Sequence, residues 1–119
     1  MRIAEKKQMK SISKELIGAS AIPIILSMLK NGDSYGYEIV QKVKELTNDE
    51  ITWKEASIYP VLKKLEAGGM IRSYWKIRGD ERYRKYYTLL DDGKKQLEQN
   101  RHEWKLVYSV FEKLWSPDT

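Results

Sequence analysis

Cysteine is absent from the 119 residues, and histidine occurs once, as His102. Without thiols there can be no disulfide framework, no zinc–thiolate site and no cysteine nucleophile. A single imidazole in a polar stretch offers neither a histidine metal cage nor an evident serine–histidine pairing. Long apolar runs are lacking too. The longest, Ala19 to Leu29, contains Ser20, Pro23 and Ser27 and falls well short of the ~20 residues a membrane-spanning helix needs. The chain opens on charged residues with no apolar signal core. Gly68-Gly69 has neither the Walker lysine nor the dinucleotide spacing of a phosphate loop. These absences argue against an enzyme, a metal, a cofactor and a membrane partner. The expected setting is the cytoplasm.

What is present is charge, unevenly placed. The formal net charge is +5 and 41% of residues are hydrophobic, enough for one domain with a core. Residues 72–86 carry Arg72, Lys76, Arg78, Arg82, Arg84 and Lys85 against Asp80 and Glu81. Residues 1–14 carry Arg2, Lys6, Lys7, Lys10 and Lys14 against Glu5, whereas residues 15–53 are net acidic. Two basic patches on so small a chain point to a polyanion, although a single basic run is more often just a solvated face.

The hydrophobic spacing predicts a chain of four helices and three strands. Residues 1–12 read as a flexible basic lead-in. A helix follows from Ser13, its N-cap, with Leu16, Ala19, Ile22, Ile25, Leu26 and Leu29 at three- and four-residue steps. Pro23 predicts a kink or a split into two pieces, and Asn31-Gly32 the end. Asp33 or Ser34 is expected to cap a second helix, Tyr35 to Leu46, with Ile39, Val40, Val43 and Leu46 as its apolar stripe. Ile51-Thr52-Trp53 reads as a short strand that pairs with the later hairpin. A third helix, 55–67, buries Ile58, Val61, Leu62 and Leu65 and stops at Gly68-Gly69. Strands over 70–77 and 83–89 flank a Gly79-Asp80-Glu81 turn. A last helix runs from Asp91 or Asp92 to about Trp115, its apolar side marked by Leu97, Trp104, Val107, Tyr108, Phe111, Leu114 and Trp115. The fold class is mainly α with a small β-hairpin: a winged helix-turn-helix over 13–90, then a C-terminal dimerisation helix over 91–119.

A helix followed by a basic hairpin has the chemistry to read double-stranded DNA. A helix fits the major groove, where base edges show a sequence-specific donor and acceptor pattern. Ser57 and Tyr59 can donate and accept there. Lys54, Lys63 and Lys64 can reach bases or phosphates, and Arg78, Arg82, Arg84 and Lys85 can hold phosphates around the hairpin turn. Tyr35 completes the DNA-facing set. The plainer alternative has Tyr59 packing inward against Ile39 and Val43, and the lysines solvated. The last helix carries more apolar surface than a small domain covers, which suits a homodimer on a pseudo-palindromic operator. Two copies of Trp104 across a twofold axis would offer flat faces to a flat aromatic effector.

Three segments carry a family resemblance: YGYEIVQKV (35–43), SIYPVLKKLEAGGMI (57–71) and RYRKYYTLLDDG (82–93). In order and spacing they resemble the PadR family of bacterial transcriptional regulators. The short final helix resembles the smaller subfamily, and nearly the whole chain is similar to its lactococcal multidrug-sensing branch. The resemblance implies a dimeric winged-helix repressor whose last helix dimerises. It also implies an interface pore for flat hydrophobic compounds, to which Leu16, Ala19, Ile22, Trp104 and Tyr108 correspond. Leu90 stands where the family usually has threonine, so Asp91 or Asp92 is expected to cap instead. The competing readings are a winged helix that binds protein rather than DNA, and a DNA-binding repressor with no small-molecule site.

Overall fold

The computed structural model describes residues 12–77, 79 and 82–117. The lead-in expected over residues 1–12 lies, apart from residue 12, outside the described residues, as do Arg78 and part of the hairpin turn. In chain order the elements are α1 (Lys14–Lys30), β1 (Ser34–Tyr35), α2 (Gly36–Leu46), α3 (Glu55–Ala67), β2 (Ile71–Ile77), β3 (Tyr83–Leu89) and α4 (Asp91–Trp115). The strands form an antiparallel sheet in the order β1-β3-β2. This is a winged helix-turn-helix with a long C-terminal helix. Among the described residues no helix is long and apolar enough to cross a membrane.

The core follows the helical periodicity. Ile25, Leu26 and Leu29 of α1, Ile39, Val40 and Val43 of α2, and Ile58, Leu62 and Leu65 of α3 converge in one cluster. Trp53, Ile71, Tyr87 and Leu97 complete it. Ser13 caps α1, its hydroxyl accepting from the Leu16 N–H at 3.2 Å. The helix is not split at Pro23 but runs through it as one element. An internal proline costs ~3 kcal/mol. The three side chains buried beyond it return about 1.5–3 kcal/mol each, enough to hold the second half in line.

Four expectations are corrected. The short strand is Ser34–Tyr35, paired with Tyr87 and Tyr86, not Ile51-Thr52-Trp53. That loop spends its side chains on the core instead, with Trp53 buried and Ile51 packed against the cluster, while its Ile51 N–H bonds the Thr47 hydroxyl at 2.9 Å. Since Ser34 is in the strand, the N-cap of α2 is Tyr35, without a side-chain cap. The N-cap of α4 is Leu90, with Asp91 and Asp92 inside the first turn, where their charge faces the positive end of the helix dipole. Leu46 does not close the α2 stripe; it is 78% exposed.

The end of α3 is the tightest junction. The Gly69 N–H bonds the Glu66 carbonyl at 3.1 Å and the Met70 N–H bonds the Leu65 carbonyl at 3.0 Å. With Gly69 left-handed at φ 76°, this is a Schellman stop. The Met70 carbonyl then accepts from Leu90 at 3.0 Å, which brings the start of α4 against it. A Cβ at Gly93 would drive into that carbonyl oxygen and lie 2.6 Å from Leu89 Cδ1. We expect Gly93→Ala to lower the free energy of unfolding by about 2–3 kcal/mol through overpacking against backbone. Gly69→Ala should cost only about 1 kcal/mol of left-handed strain. Urea unfolding of both variants checks the order.

Candidate nucleic-acid interface

The third helix presents its polar side to solvent: Lys54 at its N-cap, Ser57, Tyr59, Lys63 and Lys64 are all exposed. Its buried side is fixed by Ile58, Leu62 and Leu65, so the exposed set follows from the helical period. Tyr59 does not pack inward between Ile39 and Val43. Its hydroxyl donates to Glu55 Oε2 at 3.0 Å, and its ring lies where a Cβ on Gly36 would be 3.2 Å away. Burial first, then the bond to Glu55, push its hydroxyl above the ordinary tyrosine value. The glycine of the Tyr35-Gly36-Tyr37 stretch is therefore the seat for the Tyr59 ring of α3.

The wing is built on two faces. On one, Ser73 and Tyr87 stand opposite each other, Tyr87 reaches the core, and the Glu66 carboxylate of α3 accepts from the Ser73 N–H at 3.0 Å and from its hydroxyl at 2.6 Å. Those bonds hold the Glu66 carboxyl below its usual range and tie β2 to α3. On the other face, Tyr86 contacts Tyr35 at 5.1 Å and Tyr74 at 5.8 Å between ring centroids. Lys76 sits 5.0 Å over the Tyr86 ring and Arg84 5.4 Å over the Tyr35 ring. Such cation–π contacts direct a cation without neutralising it.

The structure thus brings Tyr35, Tyr59 and Arg84 together at the junction of α2, α3 and the wing, as Arg84 also lies close enough to influence the Tyr59 hydroxyl. Tyr35 is only 6% exposed, so its ring orients Arg84. Arg84 is half-buried, and Arg82 and Lys85 are exposed. Gly36, Glu66 and Ser73 were not singled out in the sequence, and Lys76 was counted there only within the basic patch over 72–86. Only the Tyr-Gly-Tyr stretch gave a signal, while the Glu66–Ser73 tether crosses the Gly68-Gly69 stop and has no local signature.

A second site lies between α1 and α4. Trp104, 37% exposed, joins Ser20, Pro23, Ile24, Ser27, Met28, Asn31 and Leu46 around an open groove of about 450 Å³. Leu16, Ala19, Ile22 and Tyr108 do not line it. Leu16 and Ala19 are exposed, Ile22 packs against the core, and Tyr108 is exposed one turn beyond Trp104. Of the expected dimer residues, Leu97 is 1% exposed and belongs to the chain's own core. Trp104, Val107, Tyr108, Phe111, Leu114 and Trp115 all face solvent, and Phe111 and Trp115 stack at 4.6 Å with their planes 4° apart.

Comparison with known proteins agrees with this geometry. The description "Transcriptional regulator PadR-like family" fits the family whose model matches residues 25–99. Over 80 residues the chain is 39% identical to the negative transcriptional regulator PadR of Bacillus subtilis, spanning 67% of this chain and 42% of that protein. The structure is similar to that of a transcriptional regulator from Clostridium thermocellum, with a TM-score of 0.77 and 37% identity over 88% of this chain and 99% of that one. It is also similar to Bacillus subtilis PadR in complex with operator DNA, with a TM-score of 0.58 and 37% identity over 71% of this chain and 45% of that one. The chain therefore spans almost all of the Clostridium protein and under half of the Bacillus one.

The outer face of the wing yields a pH prediction. The Tyr74 hydroxyl donates to Asp33 Oδ2 at 2.6 Å, and that bond pushes its pKa up to about 12. A hydroxyl that holds its proton more tightly when folded contributes stability in full below the unfolded tyrosine value near 10. That contribution is lost as pH rises through the folded value. Unfolding free energy should fall between about pH 10 and 12, and Tyr74→Phe should flatten that slope in urea titrations.

Proposed function

The chain belongs to the transcriptional regulator PadR-like family, and from that premise we propose that it is a sequence-specific, DNA-binding repressor that acts as a homodimer on a pseudo-palindromic operator. Family membership makes it a transcriptional regulator rather than an enzyme. The observation that carries the DNA reading is the shared exposure of Lys54, Ser57, Tyr59, Lys63 and Lys64 on α3 beside Arg82, Arg84 and Lys85 on the wing. In this reading α3 enters the major groove and the wing cations hold flanking phosphates. Arg78 belongs to the same proposed set through its position at the wing turn. The cytoplasm is the corresponding site of action.

The homodimer is supported by the second half of α4. Eight aromatic or aliphatic side chains from Trp104 to Trp115 face solvent along one helix, and each would contribute about 1.5–3 kcal/mol on full burial. A contiguous apolar face of that size marks an interaction surface. A twofold pairing through it would set two α3 helices on successive major-groove faces, about 34 Å apart. In the same reading the Trp104 groove, completed by the partner, takes a flat hydrophobic or aromatic effector whose binding releases the operator.

Two experiments test these readings. The slope of log affinity against log salt should be steep, and replacing both Lys63 and Arg82 with alanine should reduce its magnitude by about 1.8, roughly 0.9 per lost phosphate contact. No measurable duplex affinity at low salt would leave a protein-binding winged helix as the better reading. Titration with a planar dye such as Hoechst 33342 should quench tryptophan fluorescence in the parent protein and leave Trp104→Ala at least tenfold less responsive. Equal quenching in both would sink the effector site while leaving the repressor intact.

A further inference from the structure

Of the two basic patches in the sequence, the DNA reading above uses the one on the wing and leaves the other without a role. Residues 1–14 hold Arg2, Lys6, Lys7, Lys10 and Lys14 against Glu5 alone. The fold shows where this stretch is anchored. Lys14 opens α1 and lines a half-open cleft of about 240 Å³ between α1 and α3. Ser57 lines the same cleft, and it lies in the first turn of α3, just after the Lys54 N-cap. Lys14 and Ser57 are both exposed, while Ile25 and Ile58 of the same cleft are buried. The start of α1 therefore borders the part of α3 that carries the proposed reading face. We propose, resting on the DNA reading above, that Lys14 and the basic residues before it are a second phosphate-contacting element, which holds the duplex backbone beside the groove that α3 enters.

Reach and charge both favour a phosphate partner. Residues 1–11 lie outside the described residues; their charge is read from the sequence, and their attachment from Ser13 and Lys14. Lys10 is four residues before Lys14, so at most roughly 14 Å of extended chain separates them. The major groove is about 12 Å wide. With the first turn of α3 in that groove, Lys14 and Lys10 come within reach of the phosphates along its edge. Lys6 and Lys7 lie at most roughly 29 Å from Lys14, enough to follow the backbone past the groove. Four of the five cations are lysines. An ammonium meets a phosphate as a point charge and lacks the planar fork of arginine. The element therefore raises affinity for duplex DNA of any sequence, and selection among sequences stays with α3. The competing partner is the net acidic stretch over 15–53 of the same chain. Its six carboxylates are offset by Lys30, Lys42 and Lys44, whereas a duplex presents one negative charge per about 1.7 Å.

The experiment uses the full chain with Lys6, Lys7, Lys10 and Lys14 all replaced by glutamine, which removes the charge and keeps the length and polarity. The probes are a duplex from the region upstream of its own gene and a shuffled duplex of equal length. The slope of log affinity against log salt should lose about 3.6 of its magnitude, roughly 0.9 for each phosphate contact, and the loss should be the same on both duplexes. A circular-dichroism melt establishes that the variant is folded. An unchanged slope, with the parent bound and the Lys63 and Arg82 double variant still flattened, would overturn the proposal and leave the winged-helix reading intact. An unchanged slope with a lowered melting temperature would overturn it by giving the segment to the acidic stretch of its own chain. A loss confined to the upstream duplex would overturn it as well, since these lysines would then take part in selecting bases. No duplex affinity in the parent would remove the DNA reading and this element together.

Discussion

The Met70 carbonyl is the point on which the architecture depends. It follows directly from the Schellman stop of α3, it accepts the Leu90 N–H at the end of the wing, and it lies so close to α4 that only glycine fits at position 93. Three elements meet there: the helix proposed to read bases, the hairpin proposed to hold phosphates, and the helix proposed to dimerise. Backbone contacts of this kind leave little room for relative motion, because neither a carbonyl nor a Cα can change rotamer. The relative placement of the third helix, the wing and α4 is thereby set by one small region.

Around that point the wing is secured by polar links that differ in kind. Glu66 and Ser73 tie β2 to α3 across the glycine stop. Asp33 and Tyr74 tie β2 to the segment before α2 across 41 residues of sequence. Tyr59 rests over Gly36 and so couples α3 to the start of α2. Each link is exposed or only part-buried, so each contributes modestly on its own. Their value lies in fixing orientation, since together they constrain the wing from both faces of the sheet. The aromatic row Tyr35–Tyr86–Tyr74 supplies the apolar backing on which Arg84 and Lys76 are aimed.

Much of this was legible in the residues. The faces of α2 and α3, the glycine stop at 68–69, the Ser13 cap and both wing strands follow from local periodicity and capping chemistry. The features that escaped are those decided by tertiary contact. A two-residue strand at Ser34–Tyr35 has no period to detect, and only its pairing with β3 defines it. Leu97 shares a heptad spacing with Trp104 and Phe111, yet it is buried while they face solvent, because the helix leaves the core between them. Leu46 continues a stripe that the core does not extend to meet. Tyr35 has the aromatic and polar character of a surface reader, but strand pairing and the Tyr86 ring enclose it.

After Leu97, α4 continues without a break to Trp115, a reach of about 27 Å at 1.5 Å per residue. A rod held at one end multiplies angular change. A tilt of 5° at the Gly93–Met70 fulcrum would displace the far tip by roughly 3 Å, on the geometry of a straight helix. The same gain runs in reverse: a small push at the tip becomes a slight rotation of the winged-helix head, delivered with greater force. Gly93 is thus more than a residue that fits. It is the bearing of a lever, and how stiff that bearing is determines how faithfully movement at one end is felt at the other.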